Sequence, residues 1–166
     1  ETIEIRNYRL FRHSNLTNLS RLVVVVGANG SGKSTLFDVF SFLREALVGN
    51  VAAAVAHRGG FKELVSRGET GPIAITVKFR ETGGRLATYQ LEIAEDSGRP
   101  VVHREVLKFR RGQTGKPWHF VDFSRGKGYA ITNESAYGQT GVEAERKEYI
   151  LDDPSVLAIK GLGQFK

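Results

Sequence analysis

Residues Gly27-Ala28-Asn29-Gly30-Ser31-Gly32-Lys33-Ser34-Thr35 satisfy the pattern G-x-x-x-x-G-K-[ST] at every fixed position. In such a loop, main-chain N–H groups cradle phosphates, the Lys reaches the β- and γ-phosphates, and the Ser or Thr hydroxyl meets Mg²⁺. Gly27, Gly30 and Gly32 permit positive φ and close approach of the backbone to a phosphate. The chemistry expected here is binding of ATP with Mg²⁺. Gly30, Ser31, Gly32, Lys33, Ser34 and Thr35 would hold the nucleotide, Ser34 would ligate the metal, and Lys33 would act on the phosphates during reaction.

Such a loop needs an element on each side. Before it stand Val23-Val24-Val25-Val26, a β-branched, uncharged run of the kind found in a parallel strand buried on both faces. After it, Leu36, Phe40, Leu43 and Leu47 recur at helical spacing, with Phe37 and Val39 widening the apolar face. The start of that helix would add partial positive charge beside the phosphates.

Further along, Thr2 to Arg6 alternates as a first strand, and Asn7 to Ser20 reads as a polar connection. Val51 to His57 suggests a short helix ended by Arg58-Gly59-Gly60, and Phe61 to Val65 another turn of helix. The period then changes to two. Ile73, Ile75, Val77 and Phe79 share one face of a strand, Thr82-Gly83-Gly84 signals a hairpin, and Tyr89, Leu91 and Ile93 continue on the return. Val101 to Arg110 and Trp118 to Phe123 complete an antiparallel meander of about four strands. Gly126 to Gly141 reads as loop or flexible strand. The expected fold is therefore α/β, a P-loop NTPase lobe with parallel core strands, a P-loop helix and an antiparallel β-meander. Its divisions would be a nucleotide-binding core over 1–68, a β subdomain over 69–132, and a loop with a C-terminal helix over 133–166.

Composition narrows the class. With 166 residues, 40% hydrophobic and 25% charged, the chain suits one ordinary core. No apolar run approaches a bilayer span, and the absence of Cys fits a reducing compartment, so a cytoplasmic location is expected. Met is absent too, which suggests a processed or trimmed piece of a longer ATPase. His13, His57, His103 and His119 show no metal-ligand spacing and read as structural. The net charge of +6 is concentrated between Val101 and Ala130, where seven basic residues face two acidic ones and aromatic residues are interleaved. That mixture suits either a nucleic-acid backbone or the solvated face of a sheet.

The strand, Arg6-Asn7-Tyr8-Arg9, the valine run, Gly-Ala-Asn-Gly-Ser-Gly-Lys-Ser-Thr-Leu-Phe-Asp, the helix and the meander together resemble the N-terminal lobe of an ABC-type ATPase. More narrowly, they resemble the RecF, SMC and OLD-like group and the related bacterial predicted AAA-type ATPases. This resemblance implies ATP hydrolysis with Mg²⁺ in the complete protein, a homodimer in the ATP-bound state, and a DNA or protein partner. It implies roles for several residues. Arg9 reaches the nucleotide or is a surface arginine. Asn29 approaches the γ-phosphate or the partner across a dimer, or serves only the turn. Thr35 touches the α-phosphate. Asp38 has a nucleotide role or favours the first helical turns by its charge. Arg58 and Arg67 face DNA or a dimer interface, or are solvated loop arginines.

Near the C-terminus, Tyr149-Ile150-Leu151-Asp152-Asp153-Pro154-Ser155 reads in two ways. It resembles a Walker B strand, as an ABC transporter subunit would have. Alternatively, an Asp is the cap and Pro154 the first residue of a helix with Val156, Leu157, Ile159 and Leu162 as its apolar face. The second reading is preferred, because only three apolar residues come after Arg146-Lys147-Glu148. Gln164 then falls where the resemblance implies a Q-loop glutamine that touches Mg²⁺ and the attacking water. The rival to an ATPase is a nucleotide-binding regulatory or interaction lobe without turnover.

Overall fold

Strands outnumber helices in this chain. The computed structural model describes residues 1–80, 85–110, 117–133, 139 and 142–161. Among them, eight strands form one sheet: β1 (Thr2–Tyr8), β2 (Phe11–Thr17), β3 (Ile73–Arg80), β4 (Leu86–Asp96), β5 (Arg99–Phe109), β6 (Trp118–Ser124), β7 (Lys127–Ile131) and β8 (Arg146–Ile150). Their spatial order is β2-β1-β3-β4-β5-β6-β7-β8. Every neighbouring pair is antiparallel.

Register places the apolar residues on one face. Ile5 stands opposite Ile75, and Ile75 opposite Leu91, all fully buried. Three helices belong to the same core: α1 (Lys33–Val48), α2 (Val51–Ala56) and α3 (Phe61–Leu64). Helix α1 buries Val39, Phe42 and Ala46, spaced by three and four residues as one helical stripe requires. Phe42 meets the Tyr8 ring edge-on at 6.0 Å, tying α1 to the end of β1. Asn50 starts α2 by accepting a hydrogen bond from the Ala53 N–H at 2.8 Å, a cap that contributes about 1 kcal/mol. Burying Phe42 or Ile75 completely stabilises by roughly 1.5–3 kcal/mol each.

Several expectations are corrected. The sheet contains no parallel pair among the described residues, so the parallel-core α/β lobe is not the fold observed. Val23 to Val26 form no strand, and Val24 and Val26 are 76% and 84% exposed. β-branching favours extended backbone, but a strand also needs a neighbour; both edges of β1 are taken by β2 and β3. The segment read as a polar connection holds β2, an edge strand that is mostly exposed on both faces and so lacks clean alternation. The buried stripe of α1 is also displaced from the expected one, leaving Phe37, Phe40 and Leu47 exposed. The apolar arc of this helix is wide, so spacing alone does not select which part of it is buried. The segment from Gly126, read as loop or flexible strand, contains β7, whose Ala130 and Ile131 are buried. Strands β3 and β4 pair as a hairpin, while the turn expected at Thr82-Gly83-Gly84 lies outside the described residues.

Candidate nucleotide-binding site

The glycine loop links an exposed segment to the start of α1. Gly32 occupies the position before the helix at φ 94°, left-handed backbone that favours glycine. A Cβ there would lie 3.0 Å from the Phe11 ring, so the β1–β2 hairpin packs directly on the loop. Gly27 is different: its φ is not positive, but a Cβ would approach Ser31 Oγ to 2.8 Å. No side chain caps α1 and no acidic residue lies in its first turn, so the helix start keeps its electropositive character. The Lys33 ammonium donates to the carbonyl oxygens of Gly27 and Ala28, both at 2.6 Å, which folds it back over the loop. Asn29, Gly30, Ser31 and Ser34 are exposed, while Thr35 is buried at 7% exposure. Uncapped N–H groups, an ammonium on a long flexible stem and an accessible hydroxyl are a donor set suited to polyphosphate and Mg²⁺.

One turn beyond Ser34, Asp38 gathers three groups. Its Oδ2 accepts from the Tyr8 hydroxyl at 2.7 Å, its Oδ1 accepts from Arg58 Nε at 2.9 Å, and Arg9 Nε lies 3.4 Å away. Burial, then the bond to Asp38, pushes the Tyr8 phenol well above its ordinary range. Arg58 is 7% exposed and also donates to both oxygens of Glu45, at 2.7 and 3.0 Å, and to the Ala54 carbonyl at 2.9 Å. Its guanidinium stacks 5.4 Å from the centre of the Phe42 ring. The bonds to Glu45 raise the Arg58 pKa, and the same bonds hold the Glu45 carboxyl down to about 2. Arg58 is therefore neither a DNA-facing nor a solvated arginine; it clamps α1 to the end of α2. Arg67 is exposed, and its carbonyl accepts from Arg12 at 3.1 Å.

Sequence spacing did not by itself assemble Tyr8, Asp38, Glu45 and Arg58 into a cluster. A signal existed: Asp38 and Glu45 are seven residues apart on α1, about two turns and hence one face, with an arginine just after the next helix.

The C-terminal region settles into neither full expectation. β8 is an exposed edge strand, antiparallel to β7, so Asp152 and Asp153 do not come after a buried parallel strand. Asp153 accepts from the Ser155 N–H at 2.8 Å and from the Ser155 hydroxyl at 2.9 Å, as a capping side chain does. The next element, over Ala158–Gly161, is a single 3-10 turn rather than an α-helix. Buried Glu105 holds that turn by accepting from the Ala158 and Ile159 N–H groups at 2.5 and 3.2 Å. Gln164 lies outside the described residues.

In the basic stretch, Arg104 donates to both Asp122 oxygens at 3.0 Å and Arg125 pairs with Asp96 at 3.0 Å. Arg111 and Lys116 lie outside the described residues. His13, His57 and His119 contact Glu4, Glu45 and Asp122. Among the described residues no helix is long and apolar enough to cross a membrane.

Neither a curated protein nor a solved structure matches the chain. Residues 1–150 match the AAA ATPase domain, a span that takes in the glycine loop, the hairpin packed upon it and all eight strands. With nine-tenths of its length covered by that match, the chain belongs to the AAA ATPase domain family.

Proposed function

We propose that this chain binds ATP with Mg²⁺ on the Gly27–Thr35 loop and serves as the nucleotide-holding part of an ATPase. The observation that carries the reading is the Lys33 ammonium resting on the Gly27 and Ala28 carbonyls at 2.6 Å, at the mouth of an uncapped helix start. Phosphate oxygens are stronger acceptors for that ammonium than neutral carbonyls. Gly30, Ser31 and Gly32 bring main-chain N–H groups to the phosphates, Thr35 lies next to them, and the Ser34 hydroxyl is the protein ligand for the metal. When bound, Mg²⁺ neutralises charge developing on the β- and γ-phosphate oxygens. Lys33 contributes to the same end from the protein side and orients the phosphates for in-line attack by water.

Turnover belongs to an ATP-bound homodimer in this reading, with exposed Asn29 at the loop's tip turned to the second copy and a DNA or protein partner acted upon. The exposure of Asn29 and the basic character of the 101–130 stretch support that extension.

Lys33 is the only cationic side chain within Gly27–Thr35. Calorimetric titration with Mg-ATP should register binding to the wild type and none to Lys33→Ala. Equal affinity of the two proteins would remove the assignment.

A further inference from the structure

Arg9 is held in a way that a surface arginine need not be. Its backbone lies at φ 49°, left-handed, in a turn where Asn7 is left-handed too at φ 57°. Both are fixed by neighbours. The Asn7 amide donates to the Gly71 carbonyl at 2.9 Å and accepts from the Ser66 N–H at 3.1 Å, while the Arg9 N–H donates to the Leu64 carbonyl at 2.6 Å. Such strain persists only where surroundings over-determine it, and it gathers where the aim of a side chain matters. Here the aim is toward α1. Arg9 Nε is buried 3.4 Å from Asp38 Oδ2, yet makes no hydrogen bond among the described residues, and the side chain as a whole stays 37% exposed.

Asp38 is itself immobilised. Tyr8 and Arg58 donate to its two oxygens, and Arg58 is gripped by Glu45 further along α1. We propose that Asp38 is a positioning residue: it holds the Nε side of the Arg9 guanidinium against the first turns of α1, so that the remaining N–H groups of Arg9 meet a phosphate oxygen of the bound nucleotide. The proposal rests on the nucleotide reading above. It assigns Glu45 a different part, a strut for Arg58 that does not act on Arg9. A planar guanidinium can bond a carboxylate along one edge and a phosphate along another, which a lysine ammonium cannot reproduce at this spacing.

The test is calorimetric titration of Mg-ATP into the wild type, Asp38→Asn, Arg9→Ala, the Asp38→Asn/Arg9→Ala double variant, Arg9→Lys and Glu45→Gln, with the thermal midpoint of each. Asp38→Asn, Arg9→Ala and Arg9→Lys should each weaken ATP about tenfold, the magnitude of one charge-assisted hydrogen bond. The double variant should be no weaker than Arg9→Ala alone. Glu45→Gln should lower the midpoint while keeping wild-type affinity. The proposal is overturned if Asp38→Asn weakens binding equally with and without Arg9, if Glu45→Gln weakens it as much as Asp38→Asn, or if Arg9→Lys binds as the wild type does. Arg9→Lys changes only a partly exposed side chain, so its result stands even where Asp38→Asn fails to fold. Binding that Lys33→Ala abolishes but Asp38→Asn spares defeats this proposal alone, whereas a wild type that binds no ATP defeats the nucleotide reading and this with it.

Discussion

Arg58 and Glu45 show how one buried guanidinium organises its surroundings. Two hydrogen bonds from Arg58, with a further contribution from His57, hold the Glu45 carboxyl near 2 instead of its ordinary 4.5. A carboxyl whose folded value is depressed stabilises the fold fully above its unfolded value, and the contribution is lost as pH falls through the folded one. The thermal midpoint of the wild type should therefore fall more steeply between about pH 4.5 and 2 than that of Glu45→Gln. Parallel slopes would mean that the ion pair does not hold in solution. Glu105 has the opposite sign. Burial raises its pKa against the pull of the Ala158 and Ile159 N–H groups and Tyr89, so the folded state favours the protonated acid and its contribution weakens as pH rises through the folded value.

Among the elements, legibility in the sequence tracks how strongly a segment implies one neighbour. β3 and β4 alternate because one face is buried, whereas the register shifts in β5 break its alternation, and α2 announces itself through Asn50 and the glycines after Arg58. α1 is readable as a helix but not in its orientation, since Phe37 and Phe40 are as apolar as the residues it buries. β2 and β8 are hidden because edge strands exposed on both faces carry no alternation. The valine run misleads for a related reason: side chains specify extended backbone, whereas hydrogen-bonding neighbours are set by the whole sheet. The loop and its lysine are legible residue by residue; the Asp38 cluster is not, because Tyr8, Asp38 and Arg58 come from three separate stretches. A contrast in stability results. Val24→Ala should change the urea unfolding free energy by no more than about 0.5 kcal/mol, as for other exposed sites. Ile75→Ala should cost about 2–5 kcal/mol, as for a filled core position. A comparable loss at Val24 would place the valines back in a core.

At the scale of the molecule, the described residues form one antiparallel sheet with three helices on its apolar face, and the β1–β2 hairpin bridges that layer to the glycine loop through Phe11 and Gly32. The hairpin's turn also delivers Tyr8 and Arg9 to α1 just beyond Ser34. The loop is thus backed by packed structure on one side and open on the other, which is how a phosphate site keeps its shape while staying accessible. The most direct measurement is amide hydrogen exchange over residues 27–36 with and without Mg-ATP, in the wild type and in Lys33→Ala. The account predicts slowed exchange across this segment in the wild type alone, as main-chain N–H groups engage phosphate. Exchange unchanged by Mg-ATP in the wild type, or slowed equally in Lys33→Ala, would contradict it.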